Sequence, residues 1–161
     1  MTAADLITWS RACIATWIFG RGISARRGPL DKGSWLTLLW AATVADWVDG
    51  PLARRTGPTR FGAVLDLEAD SWLTLSAAMA AWRSGGLPAW CLVPPVVRYA
   101  VRRRRGLERP MATAGWQKAA GAAQMAVLIG ALAPSRSLRA VARRVSVWAV
   151  IGQLAALAAD V

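Results

Sequence analysis

Apolar residues fall into six long segments, running from Ile7 to Ile23, Ser34 to Leu52, Phe61 to Trp82, Leu87 to Val101, Ala114 to Ala133 and Val145 to Ala159. Backbone breakers separate them at Gly28-Pro29, Gly57-Pro58, Gly85-Gly86, Arg109-Pro110 and Pro134. Several segments are shorter than the ~20 residues of a full membrane span. Tilt, local thinning and charged ends still let such segments cross. The pattern predicts an all-α polytopic membrane protein of six transmembrane helices, forming a single domain over residues 1–161. Arg11 interrupts the first segment, and Pro94-Pro95 predicts a kink in the fourth. The fifth and sixth are rich in Ala and Gly, which suits close helix packing in lipid. The N-terminus carries neither a charged leader region nor a small-residue cleavage site, so no removable signal peptide is expected.

Composition agrees with a membrane setting. The chain is 55% hydrophobic, high for a water-soluble protein. Its formal net charge of +11 and its apolar content together favour anionic lipid head groups and phosphate substrates over nucleic acid. No nucleic-acid reader motif is present, and none is expected as a partner. Ten tryptophans spread along the chain fit an interfacial aromatic belt. Cys13 and Cys91 lie in apolar segments without metal-ligand spacing and read as small buried hydrophobes; there is no histidine.

Chemistry concentrates between Asp46 and Asp70. Asp46 and Asp49 stand at i,i+3, and Asp66 and Asp70 at i,i+4. Either spacing puts a pair on one helix face, one turn apart. The flanks are apolar, with Leu38, Leu39, Trp40 and Val44 before, and Trp72, Leu73 and Leu75 after. Carboxylates in such surroundings are costly unless paired or bound to a cation. Two pairs facing each other across two helices would form an oxygen-lined polar cavity for one or two hard divalent cations. Gly50 and Ala53 lie near the same face and would admit a bulky ligand close to the backbone. Glu68 points about 160° to 200° away from Asp66 and Asp70 on a helix and falls outside this site.

This stretch resembles the signature of the CDP-alcohol phosphatidyltransferases, D-x2-D-G-x2-A-R-x8-G-x3-D-x3-D. Asp46, Asp49, Gly50, Ala53, Arg54, Gly62, Asp66 and Asp70 fill its fixed positions in order. Seven residues separate Arg54 from Gly62 where the usual count is eight, and the missing one falls in the turn Thr56 to Thr59. Ser71 stands where many members have lysine. Two weaker likenesses flank the motif. Leu6 to Arg11, with Thr8 and Arg11, is similar to the segment opening the family's first helix. Gln117-Lys118 with Gln124-Met125 is similar to a segment on the fifth.

The resemblance implies a CDP-linked lipid donor such as CDP-diacylglycerol, a small alcohol acceptor, CMP as leaving group, and a place in phospholipid biosynthesis. It implies Mg2+ or Mn2+ on Asp46, Asp49, Asp66 and Asp70, with Asp70 also taking the proton from the acceptor hydroxyl. Gly50, Ala53, Arg54 and Gly62 would meet the nucleotide, and the planar fork of Arg54 suits its phosphates. Arg98 and Lys118 are cations inside later segments, where charge is rare. Both could face a phosphate on the acceptor, as in glycerol 3-phosphate or an inositol phosphate, or snorkel to the interface. Lys and Arg divide without clear bias between the two sets of loops. The run Arg102 to Arg105 and the resemblance both favour a multi-pass cell-membrane protein whose site faces the cytoplasm. Dimerisation is common in that family, so a homodimer is a candidate assembly. The alternative class is a transporter coupling cations or protons to intramembrane aspartates. It accounts for the acids but not for Gly50, Ala53, Arg54 and Gly62.

Overall fold

The computed structural model describes residues 3–24, 37–44, 60–105 and 115–159, and at some of these, Asp66 and Lys118 among them, it describes the backbone alone. The helices are α1 (Ala3–Ser24), α2 (37–44), α3 (Arg60–Arg83), α4 (Val93–Arg105), α5 (Gly115–Leu132) and α6 (Arg136–Ala159). A 3-10 turn, Ala89–Leu92, precedes α4. No strand occurs among the described residues.

α1 lies along α3. Arg11, Ala15, Ile18 and Gly22 recur every three or four residues and form one buried stripe of α1. Arg11 meets Asp70, Trp72 Nε1 donates to Thr16 Oγ1 at 3.1 Å, and Gly22 lies against Ala80. These contacts advance together along both helices, so α1 and α3 run in the same direction. The Phe19 and Trp72 rings close the side of the seam at 4.8 Å between centroids. Cys13 lies off the buried stripe and is exposed, contrary to the expectation that both cysteines are buried; Cys91 is buried. Arg11 does not break α1, because its side chain turns inward to a counter-ion.

α3 ends where the glycine pair predicts. Gly85 adopts φ +74°, a left-handed conformation that glycine takes without strain. The Gly86 and Leu87 amides then both donate to the Ala81 carbonyl, at 2.9 and 3.1 Å. A Cβ on Gly86 would stand 2.5 Å from the Ala131 carbonyl oxygen, so this position takes no side chain without a shift. The contact places the C-terminal end of α5 beside that of α3.

Pro94 and Pro95 do not kink α4. They sit in its first turn, where a missing amide costs no helical hydrogen bond, and the break falls ahead of them at the 3-10 turn. α6 begins earlier than its apolar run suggests. Ser135 caps it, its hydroxyl accepting from the Leu138 amide at 3.5 Å. Arg136, Arg139, Arg143 and Arg144 therefore belong to a helix rather than to a loop. Arg139 donates to the Ala133 and Pro134 carbonyls at 2.9 Å and caps the end of α5. Gly130 faces Ala142 and Gly121 faces Gln153, so α5 and α6 form an antiparallel hairpin.

Small residues fill the interior and large ones face outward. Ala15, Ala42, Ala77, Ala78, Ala80, Ala81, Ala131 and Ala142 are buried beside Ile18, Leu39, Leu73 and Leu128. Trp9, Trp17, Trp40, Trp82, Trp90, Trp116 and Trp148 are exposed, Trp148 by 73%. Among the described residues α6 is the one helix both long and apolar enough to cross a membrane; Ala89–Val101 and Ala119–Leu132 are shorter apolar stretches.

Candidate active site

Asp70 is the point where three helices meet. It stands in the first half of α3, Arg11 in the first half of α1, and Arg98 in the middle of α4. Parallel α1 and α3 bring Arg11 and Asp70 to the same end of the bundle. The short connection after α3 returns α4 antiparallel to it, which carries Arg98 back to that end. Arg11 Nη2 lies 3.6 Å from Asp70 Oδ1, and Arg98 Nη2 lies 3.5 Å from Oδ2. Each carboxylate oxygen thus faces one guanidinium.

The two arginines differ in setting. The Arg11 side chain is 1% exposed, so its charge is carried by partners within the protein. Arg98 is 27% exposed and Asp70 31%. The site is therefore buried on the α1 side and open on the α4 side. Thr74, one turn beyond Asp70, donates its hydroxyl to the Asp70 carbonyl at 2.9 Å, as threonine commonly does within a helix.

Glu68 faces α4 on the other flank of α3. Tyr99 Oη donates to Glu68 Oε1 at 3.3 Å and accepts from Arg103 Nη1 at 2.8 Å. Arg103 Nη1 stands 3.9 Å from the same Glu68 oxygen, and its guanidinium lies over the Tyr99 ring at 6.0 Å. One member of the Arg102 to Arg105 run is thus engaged within the protein.

Of the expected site residues, the structure brings Asp70 and Arg98 together. Gly62 and Asp66 lie on α3 ahead of Asp70, Asp66 one turn before it. Lys118 lies in the first turn of α5. Its backbone alone is described, so no contact joins it to Asp70. Asp46, Asp49, Gly50, Ala53 and Arg54 lie outside the described residues. On the sequence, Arg11 carries only the weaker likeness of the first segment, Glu68 falls outside the site, and Tyr99 has no signal. A cation inside an apolar run signals Arg11; nothing local signals Tyr99.

Among the described residues no three acidic, Cys or His side chains gather as a ready metal site. The expected donors, Asp46, Asp49, Asp66 and Asp70, are all carboxylates, the set a hard divalent cation takes. Asp70 is open on one side, and its contacts to both guanidinium groups are longer than tight hydrogen bonds. By donor chemistry alone, these carboxylates suit such an ion.

One family model, described as CDP-alcohol phosphatidyltransferase, matches residues 1–158, nearly the whole chain. No curated protein and no solved structure gave a significant match.

Proposed function

The chain belongs to the CDP-alcohol phosphatidyltransferase family, and from that premise we propose that it transfers a substituted phosphate from a CDP-linked lipid such as CDP-diacylglycerol to a phosphorylated polyol, releasing CMP. The observation that carries the acceptor side is the partly exposed Arg98 guanidinium 3.5 Å from Asp70. A phosphate on the acceptor offers two oxygens to the planar fork of Arg98. The acceptor hydroxyl then lies beside Asp70, which takes its proton as oxygen attacks phosphorus and the bond to CMP breaks. Lys118, in the first turn of α5, is assigned as a second cation for the acceptor. Arg11 holds Asp70 from the buried side and keeps it aimed into the opening.

Asp46, Asp49, Asp66 and Asp70 would hold Mg2+ or Mn2+, which when bound offsets the charge of the donor pyrophosphate. Gly50, Ala53, Arg54 and Gly62 are assigned to the nucleotide side of the donor. The membrane setting is supported by the apolar α6 and by exposed tryptophans around an alanine-rich interior. α1, α3 and α6 have 22, 24 and 24 residues. At 1.5 Å per residue these are about 33 to 36 Å long, enough for a bilayer core. We read the chain as multi-pass in the cell membrane, with the Asp70 end toward the cytoplasm. No described contact favours the transporter alternative.

The test is CMP release by the purified protein from labelled CDP-diacylglycerol, with glycerol 3-phosphate, inositol phosphate and free inositol as acceptors. Release with a phosphorylated acceptor is expected. A preference for free inositol would refute the acceptor assignment, and no release with any alcohol would refute the activity.

A further inference from the structure

α4 touches α3 at two azimuths. Glu68 and Asp70 project about 200° apart around α3, and Arg98 and Tyr99 about 100° apart around α4. Arg98 meets Asp70 on one flank while Tyr99 meets Glu68 on the other. One contact lets a helix roll about its own axis; two contacts on opposite flanks stop it. Upstream, buried Pro94 and Pro95 fix where α4 starts but not its roll farther along.

The components of the outer contact are not equal. The Arg103 side chain is 66% exposed and 3.9 Å from Glu68, so this ion pair alone holds little. The Tyr99 hydroxyl donates to a carboxylate and accepts from a guanidinium. The bond from Arg103 is short at 2.8 Å and charge-assisted, and the one to Glu68 is longer at 3.3 Å. The phenol ring is rigid and loses little conformational freedom in bridging.

We propose that Tyr99 and Glu68 are positioning residues: their hydrogen bond sets the roll of α4 and thereby holds Arg98 where the acceptor's anionic group must bind. This rests on the reading of Arg98 as an acceptor ligand.

The experiment measures KM for glycerol 3-phosphate and for CDP-diacylglycerol, with the thermal unfolding midpoint in detergent. The variants are Tyr99→Phe, Glu68→Ala, Glu68→Gln, Arg98→Ala and the double variant Arg98→Ala/Tyr99→Phe. Tyr99→Phe keeps the ring and removes only the bridge. Its acceptor KM should rise about three- to tenfold, the scale of one hydrogen bond, with donor KM within about twofold. Glu68→Ala should do the same, and Glu68→Gln, which still accepts from the hydroxyl, should restore most of the loss. In the Arg98→Ala background Tyr99→Phe should add less than about twofold, because residues acting through one contact are not additive. A rise in both KM values with a lowered midpoint would mean plain structural anchoring and overturn the proposal. So would an equal effect of Tyr99→Phe in both backgrounds. If Arg98→Ala raises acceptor KM and Tyr99→Phe does not, positioning alone has failed. If Arg98→Ala leaves acceptor KM unchanged, the acceptor reading has failed and takes the positioning role with it.

Discussion

Replacing Asp70 by Asn separates a catalytic loss from a structural one. The substitution keeps the shape and removes the charge facing Arg11. At 3.6 Å and an effective dielectric of about 20, that pair attracts by about 4–5 kcal/mol before desolvation is counted. Breaking a buried pair by removing one partner costs about 3–5 kcal/mol, because the other charge stays buried. Asp70 is nearly one-third exposed, which favours the lower end, about 3 kcal/mol. Arg98 adds little to this cost, since it can turn toward solvent. For a domain of this size, about 3 kcal/mol lowers the unfolding midpoint by about 6–12 °C. Turnover should fall at least ~100-fold through loss of the base. Adding Arg11→Met removes the cation that has lost its Asp70 partner and fills its volume with apolar atoms. The double variant should regain most of the midpoint, as buried pairs replaced by apolar residues often do, while turnover stays down. The assays are thermal unfolding in detergent and CMP release at saturating donor. An unchanged midpoint for Asp70→Asn, or no recovery in the double variant, refutes the buried-charge reasoning. Recovered turnover in the double variant refutes Asp70 as base.

Two further outcomes test the donor side. EDTA should abolish CMP release and Mg2+ or Mn2+ should restore it; full activity in a metal-stripped sample would remove the cation from the four aspartates. Ala53→Leu should express normally and lose CDP-lipid binding, measured by displacement of a labelled cytidine nucleotide. Unchanged binding would make Gly50 and Ala53 helix-packing residues instead.

Much of the fold was legible because its signals are local. Apolar runs mark the helices, the glycine pair marks the end of α3, and Pro134 marks the end of α5. Apolar content alone placed the start of α6 too late, since Ser135 caps a first turn made of polar residues. The prolines of α4 meet the same limit. Whether Pro kinks a helix or opens it depends on where the helix starts, and an apolar run does not say. Asp70 was legible because it closes a motif with fixed spacing.

What the sequence by itself determined is which residues share a helix face and which side chains can do chemistry. The period of the helix fixes that Asp66 and Asp70 lie one turn apart and that Glu68 does not join them. Only the tertiary structure decided which helix each face meets. Arg11 and Arg98 converge on Asp70 from α1 and α4, and Tyr99 finds Glu68 across the α3–α4 seam. A buried cation announces that it needs an anion, but the cost of burial is the same whichever anion answers it. The choice is made by the packing that brings α1 and α3 together in parallel, and uncharged residues such as Ala15, Ile18 and Gly22 on α1 and Ala80 on α3 carry much of it without naming their partner.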